Sequence, residues 1–170
     1  DLIKGQFNNY GVELRYLNRY KLKNKKSILI SGIKYYKSNN TSEQGPGNSN
    51  YDANFNFAYN EFPYYSNQSY YEYPNLNTAI FLENIIYISN KTSIVPGIRY
   101  EFIDTRSEGS YRSLFLNLVN QPIFDTTIQT SNNNKRNFLL CGIGISHQFN
   151  NELELYSNLS QNYRSVTFAD

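Results

Sequence analysis

Residues 93–106, SIVPGIRYEFIDTR, alternate in a way that few folds can use. Ile94, Ile98, Tyr100 and Phe102 share one parity, and Arg99 and Glu101 fall between the later ones. Period-two alternation marks a strand, because successive side chains point to opposite faces of a sheet. One face of this strand is therefore apolar and aromatic, while the other carries opposite charges and suits water.

The same alternation recurs along the chain. About 9–20 sets Tyr10, Val12, Leu14 and Tyr16 against Gly11, Glu13 and Arg15. About 27–37 sets Leu29, Ile33 and Tyr35 against Gly32 and Lys34. About 76–88 sets Leu76, Ile80, Leu82 and Ile86 against Asn77, Ala79 and Glu83, with Asn84 interrupting the apolar row. The opening strand covers about 92–104. About 137–149 sets Leu139, Cys141, Ile143 and Ile145 against Gly142, Gly144, Ser146 and Gln148, and about 152–163 sets Leu153, Leu155 and Leu159 against Glu154, Tyr156, Asn158 and Ser160. Six such stretches predict an all-β chain. Each is longer than the roughly five or six residues of a typical globular strand. Tilted by about 45°, roughly ten residues cross the apolar core of a bilayer.

Connections alternate in length. Short polar turns follow the first strand (Leu22 to Lys26), the third (Ser89-Asn90-Lys91) and the fifth (Asn150-Asn151). Long excursions over about 38–75 and 105–136 follow the second and fourth. Loops of that length are uncommon in compact soluble domains. Short turns on one side and long loops on the other are the pattern of an outer-membrane barrel, with the long loops outside the cell. The Ile/Tyr/Phe face then meets lipid, and the Arg99/Glu101 face meets a wet lumen. Tyr35, Tyr36, Tyr100 and Phe102 are placed at strand ends beside the long loops, as an aromatic girdle. A soluble β-sandwich used for binding or adhesion also alternates, but its loops are more often short at both ends.

Composition agrees with this reading. The 17 Tyr and 11 Phe favour strands, and mean hydropathy is only -0.62. No stretch approaches the ~18 apolar residues of a membrane helix, yet alternating strands escape hydropathy scans because only every second side chain is apolar. Net charge is +2, and the short basic run Lys21–Lys26 reads as a solvated turn, so no nucleic-acid partner is expected. Cys141, the single cysteine, rules out an intrachain disulfide framework and sits in an apolar strand as a small buried or lipid-facing residue. His147, the one histidine, cannot assemble a His-based metal cluster and suits the interface near the Asn150-Asn151 turn. Ser160 and Asp170 lack a partner base. No enzyme, metal site or cofactor is expected.

Three segments carry a family resemblance: PGIRYEFID (Pro96 to Asp104), NTAIFLENIIYIS (Asn77 to Ser89) and LYSNLSQNYRSVTFAD (Leu155 to Asp170). They resemble TonB-dependent outer-membrane receptors, and within them the ferric dicitrate (siderophore) uptake branch. The run Gln44-Gly45-Pro46-Gly47-Asn48-Ser49 is similar to an external loop of that branch, whereas Cys141 stands where that branch has a proline. The resemblance implies a barrel of about 22 strands around a plug domain. On that basis residues 1–170 are expected to be an internal fragment of one transmembrane β-barrel domain, an antiparallel up-and-down wall of about six strands, with the plug and remaining strands outside it. The implied function is active uptake of a ferric siderophore such as ferric citrate, energised by the TonB complex through the plug. A passive porin-like channel would use the same strands without a plug.

Ferric citrate and its relatives are anionic, and arginine forks match carboxylates. Arg99, Arg106 and Arg112 are therefore ligand candidates, together with the loop tyrosines Tyr64, Tyr65, Tyr70 and Tyr71, which offer amphipathic contact area with few rotors to freeze. Glu13, Arg15, Glu83, Glu101 and Arg164 are candidates for lumen-side contact with the plug.

Overall fold

A computed structural model of the chain describes residues 1–50 and 54–163. Six strands, β1 (Leu2–Leu22), β2 (Lys25–Gly45), β3 (Ser69–Tyr87), β4 (Thr92–Leu116), β5 (Pro122–Gln148) and β6 (Glu154–Ser160), form one sheet in the order β1-β2-β3-β4-β5-β6. Neighbours in sequence are neighbours in the sheet, an antiparallel up-and-down wall. The described residues form one sheet in sequential order, the arrangement of an up-and-down wall and not the two packed sheets of a β-sandwich.

Strand lengths correct the expectation. β1 to β5 run for 19 to 27 residues, so the predicted strands continue well into the predicted loops. The excursion over 105–136 is almost entirely the β4–β5 hairpin. It closes at Asn117, whose side-chain oxygen accepts the N–H groups of Val119 and Gln121 at 3.0 and 2.8 Å. Asn120 there takes φ 58°, a left-handed conformation that asparagine tolerates. The excursion over 38–75 shrinks to 46–68. Tyr35, Tyr36, Tyr100 and Phe102 accordingly lie within strands and not at their ends. A strand that has left a bilayer needs no apolar face, so alternation fades while ladder hydrogen bonds continue. Pattern reading stops where the alternation stops.

The chain divides into two compact units. The first comprises Asp1–Tyr10, Lys37–Asn75 and Asp104–Asn134; the second comprises Gly11–Tyr36, Leu76–Ile103 and Lys135–Asp170. The second unit holds the alternating stretches and the short turns. Its β1–β2 turn has two central residues, Lys23 at φ 45° and Asn24 at φ 63°. Positive φ at both positions is the two-residue geometry whose twist matches antiparallel strands.

Apolar rows in the second unit lie on the parity read from the sequence. Tyr10 of the first unit and Val12, Leu14, Tyr16, Ile33, Ile80, Leu82, Ile98, Tyr100, Leu139, Ile143 and Ile145 of the second are all exposed, on the parity expected to meet lipid. β5 and β6 pair antiparallel with Ile143 opposite Leu159 and His147 opposite Leu155, so His147 shares the apolar row. Its Nδ1 lies 2.9 Å from the Thr92 hydroxyl, and its ring meets Phe149 edge-on. Asn84, which interrupts the row on β3, is also accounted for. Its amide donates to the Tyr20 hydroxyl at 2.8 Å, and that hydroxyl donates back to the amide oxygen at 3.0 Å. A polar group that faces an apolar medium costs little once it is paired.

The face assignment is open to a direct test. In a Cys141→Ser background, needed because Cys141 is itself exposed, cysteine at position 98 should react with a lipid-dissolved thiol reagent, while cysteine at position 99 should be shielded. Equal labelling of Ile98→Cys and Arg99→Cys would overturn it.

Candidate functional site

The polar face of the second unit is built around Phe81. Arg15 on β1 and Arg99 on β4 each direct a guanidinium at its ring, 5.8 and 5.5 Å from the centroid. Each arginine also pairs with a carboxylate two residues away on its own strand, Arg15 with Glu13 and Arg99 with Glu101. Residues two apart share a face, so both pairs follow directly from strand periodicity. Reaching Arg15 requires the Phe81 side chain to cross β2, and Gly32 makes that possible. A Cβ there would collide with the Phe81 ring and lie 2.7 Å from the Leu14 carbonyl oxygen.

A groove of about 520 Å³ opens beside this cluster, lined by Glu13, Arg15, Phe81, Glu83, Arg99 and Gly142 among others. Four of the residues expected to contact a plug, Glu13, Arg15, Glu83 and Glu101, and the ligand candidate Arg99 thus belong to one surface. Arg164 lies outside the described residues. Phe81 escapes sequence reasoning because Ile80 and Leu82 on either side of it make a continuous apolar run that hides its parity. Its parity with Ala79 and Glu83 was the available signal.

In the first unit Arg112 is the organising group. Its Nε and Nη2 bind both oxygens of Asp125 at 2.8 and 2.6 Å, and its Nη1 donates to the carbonyls of Pro63 and Tyr65 at 2.8 and 3.3 Å. The fork geometry lets a single side chain tie β4, β5 and the 46–68 loop together. The loop has further anchors. Ala58 N–H donates to the carbonyl of the fully buried Pro46, Lys4 lies over the Phe57 ring, and the Tyr65 hydroxyl donates to Asp1 at 2.7 Å. Arg112 thus has all three guanidinium nitrogens engaged within the chain. Arg106 spends Nε and Nη2 on Asp104, while its Nη1 has no partner among the described residues.

The nominated tyrosines do not converge. Tyr64 and Tyr65 lie in the loop at Arg112. Tyr70 donates to Glu72 at 2.9 Å on one face of β3, and that bond raises the Tyr70 phenol above its usual range. Tyr71 stacks on Tyr73 on the other face and accepts from Thr130. Gly109 permits close approach beside them, because a Cβ there would overlap the Tyr70 carbonyl.

Two variants test these arrangements. Valine at position 32 has better strand propensity than glycine, yet it should lower the urea midpoint of the detergent-folded protein by displacing Phe81, an overpacking cost of about 1–3 kcal/mol. Phe81→Ala should remove the part of that penalty owed to the ring and leave the part owed to the Leu14 carbonyl, and strict additivity of the two changes would refute the contact with Phe81.

The Arg112 guanidinium holds the Asp125 carboxyl below the usual carboxylate range, chiefly by hydrogen bonding, and Asp125 raises Arg112 in turn. A depressed carboxylate contributes stability that is fully present above its unfolded value and lost as pH falls through the folded one. Cleavage of the 46–68 loop by an acid-tolerant protease should therefore be slow near neutrality and accelerate only below about pH 4. Asp125→Asn should raise cleavage at neutral pH by up to about fivefold and remove that acid dependence; an unchanged neutral rate would contradict the clamp.

Residues 3–170 match the family model of the TonB-dependent receptor-like β-barrel. No curated protein matches the chain. The match takes in almost every residue of the sheet, both faces of the alternating strands and the clamped loop. The chain belongs to the TonB-dependent receptor β-barrel family, receptors that serve transport, and not catalysis, at the bacterial outer membrane.

Proposed function

We propose that residues 1–170 supply wall strands and capture loops to a larger outer-membrane active transporter for a ferric siderophore such as ferric citrate. The remaining strands and a plug domain complete the receptor, and the inner-membrane TonB complex drives it through that plug. The resemblance of PGIRYEFID, NTAIFLENIIYIS and the Gln44–Ser49 run to the ferric dicitrate branch supports this ligand class. The observation that carries the reading furthest is the clamped loop. Its exposed Phe55, Phe62 and Tyr64 offer a pre-positioned aromatic surface to a ligand arriving from outside. Holding a loop in place before binding lowers the ordering cost of capture.

Within this reading the candidate arginines take different roles. Arg112 positions the loop, because its donors are already engaged. Arg106 meets the ligand, because Nη1 remains for an incoming carboxylate. Tyr64 contributes contact area in the loop at Arg112, while Tyr65, Tyr70 and Tyr71 shape the surroundings. Arg99, Glu13, Arg15, Glu83 and Glu101 face the plug.

Iron-55 uptake from ferric citrate by cells that express the full receptor is the test. Uptake should require both TonB and the proton gradient, and Arg106→Gln should reduce it about tenfold, the scale of one charge-assisted hydrogen bond. Uptake no greater than in cells lacking the receptor would overturn the ligand assignment. Uptake that survives collapse of the gradient would favour a passive channel.

A further inference from the structure

In the first unit, strand charge is confined to one side of the sheet. Lys4 on β1, Lys37 and Glu43 on β2, Glu72 on β3, the four charges of β4 from Asp104 to Arg112, and Asp125 on β5 are all the charged strand residues of that unit. Strand alternation puts them on the same side. Their contacts agree. Arg106 meets Asp104, Arg112 meets Asp125, and Glu43, Tyr70, Ser110 and Arg112 line one small cavity. The 46–68 loop folds over this side, where Lys4 lies on the Phe57 ring and Tyr59 joins the cavity lining.

The opposite side carries no charged strand residue. On β2, β3 and β4 it presents Ser38, Asn40, Tyr71, Tyr73, Asn75 and Ser107. Tyr71 and Tyr73 stack with ring centroids 6.2 Å apart, and the Thr130 hydroxyl of β5 donates to Tyr71 at 3.3 Å. Tyr111, Phe115 and Phe124 stand exposed on the same side. The side-chain oxygens of Asn40 and Asn75 are buried and have no hydrogen-bond partner among the described residues. A carbonyl oxygen can only accept, so whatever satisfies these two must donate. Water alone does not account for this side, because a solvated face carries charge as freely as its opposite does. Hydrocarbon does not account for it either, because so many amides and hydroxyls would be costly there.

We infer that the uncharged side binds a neutral, hydroxyl-rich ligand, an oligosaccharide. Sugar hydroxyls both donate and accept, which matches asparagine, serine and threonine side chains, and they bring the donors that Asn40 and Asn75 lack. The apolar C–H faces of a sugar ring fit the tyrosine rings, whose phenols bond to the hydroxyls at the rim. A carboxylate ligand finds no cation on this side, and its oxygens cannot donate to the two amides. Arg106, the group assigned to a ferric ligand, lies on the charged side. The inference is therefore independent of that reading.

The test is isothermal titration calorimetry of the full receptor in a polyoxyethylene detergent, which carries no sugar of its own. Maltohexaose, cellohexaose, xylohexaose and chitohexaose are the neutral probes, and hexagalacturonate is the acidic one. At least one neutral probe should bind with Kd below about 1 mM, and its affinity should not change between about 50 and 500 mM salt, because no ion pair forms. Hexagalacturonate should not bind. Tyr73→Ala should weaken the binding about tenfold, while Glu72→Gln, on the other side of the same strand, should leave it unchanged. If Tyr73→Ala does not fold, as judged by heat-modifiable mobility, Tyr111→Ala at an exposed position should weaken binding several-fold. Binding of hexagalacturonate in preference to the neutral probes, or native affinity in a folded variant, would overturn the inference. So would the absence of binding by every neutral probe, which would leave this side as a packing surface for the rest of the receptor. Ferric citrate uptake and sugar binding are separate measurements, so failure of one leaves the other standing.

Discussion

Everything in this chain depends on the ladder of backbone hydrogen bonds between consecutive strands. A backbone amide in hydrocarbon has no water to turn to, and each unpaired group costs several kcal/mol, so a membrane wall must pair every strand with a neighbour. The six strands do so in sequence order. Up-and-down connection keeps contacts local, and it leaves both sheet faces available for other purposes. One face then carries the apolar rows required by lipid. The other is free to carry Arg15, Arg99 and their carboxylates, which lipid would not tolerate unpaired.

The polar face is organised by omission as much as by side chains. Gly32 removes an obstacle, and Phe81 uses the space to lie between two guanidinium groups from strands that are not neighbours. Arginine stacked on an aromatic face keeps its charge while losing little hydration, and it remains orientable for a further anionic partner. Gly109 does comparable work in the first unit, where β3 and β4 approach too closely for any Cβ.

The first unit solves a different problem. Its strands and loop are tied together by hydrogen bonds and ring contacts. Arg112 supplies much of this, since one planar fork satisfies a carboxylate from β5 and two carbonyls from the 46–68 loop together. Lysine could not reproduce that geometry, because an ammonium is a point charge without a fixed fork. The tilted ring contact of Phe57 with Tyr59 and the bond from Tyr65 to Asp1 add further anchors to the loop.

The sequence by itself determined the class of fold, which side chains share a face of each strand and the positions of the short turns. All three follow from local rules: period-two alternation, strand length against bilayer thickness, and polar turn residues. Even the pairs Glu13–Arg15 and Arg99–Glu101 were implicit, because residues two apart on a strand must share a face. What the tertiary structure alone decided is where strands end and which side chains meet across them. β4 and β5 extend through 105–136 by ladder bonds that need no hydrophobic pattern, so the sequence carried no mark of them. Phe81 over Gly32, Tyr20 with Asn84, and Arg112 with Asp125 and the loop all join residues brought together by strand register. Register is a property of two strands at once, and no single stretch of sequence contains it.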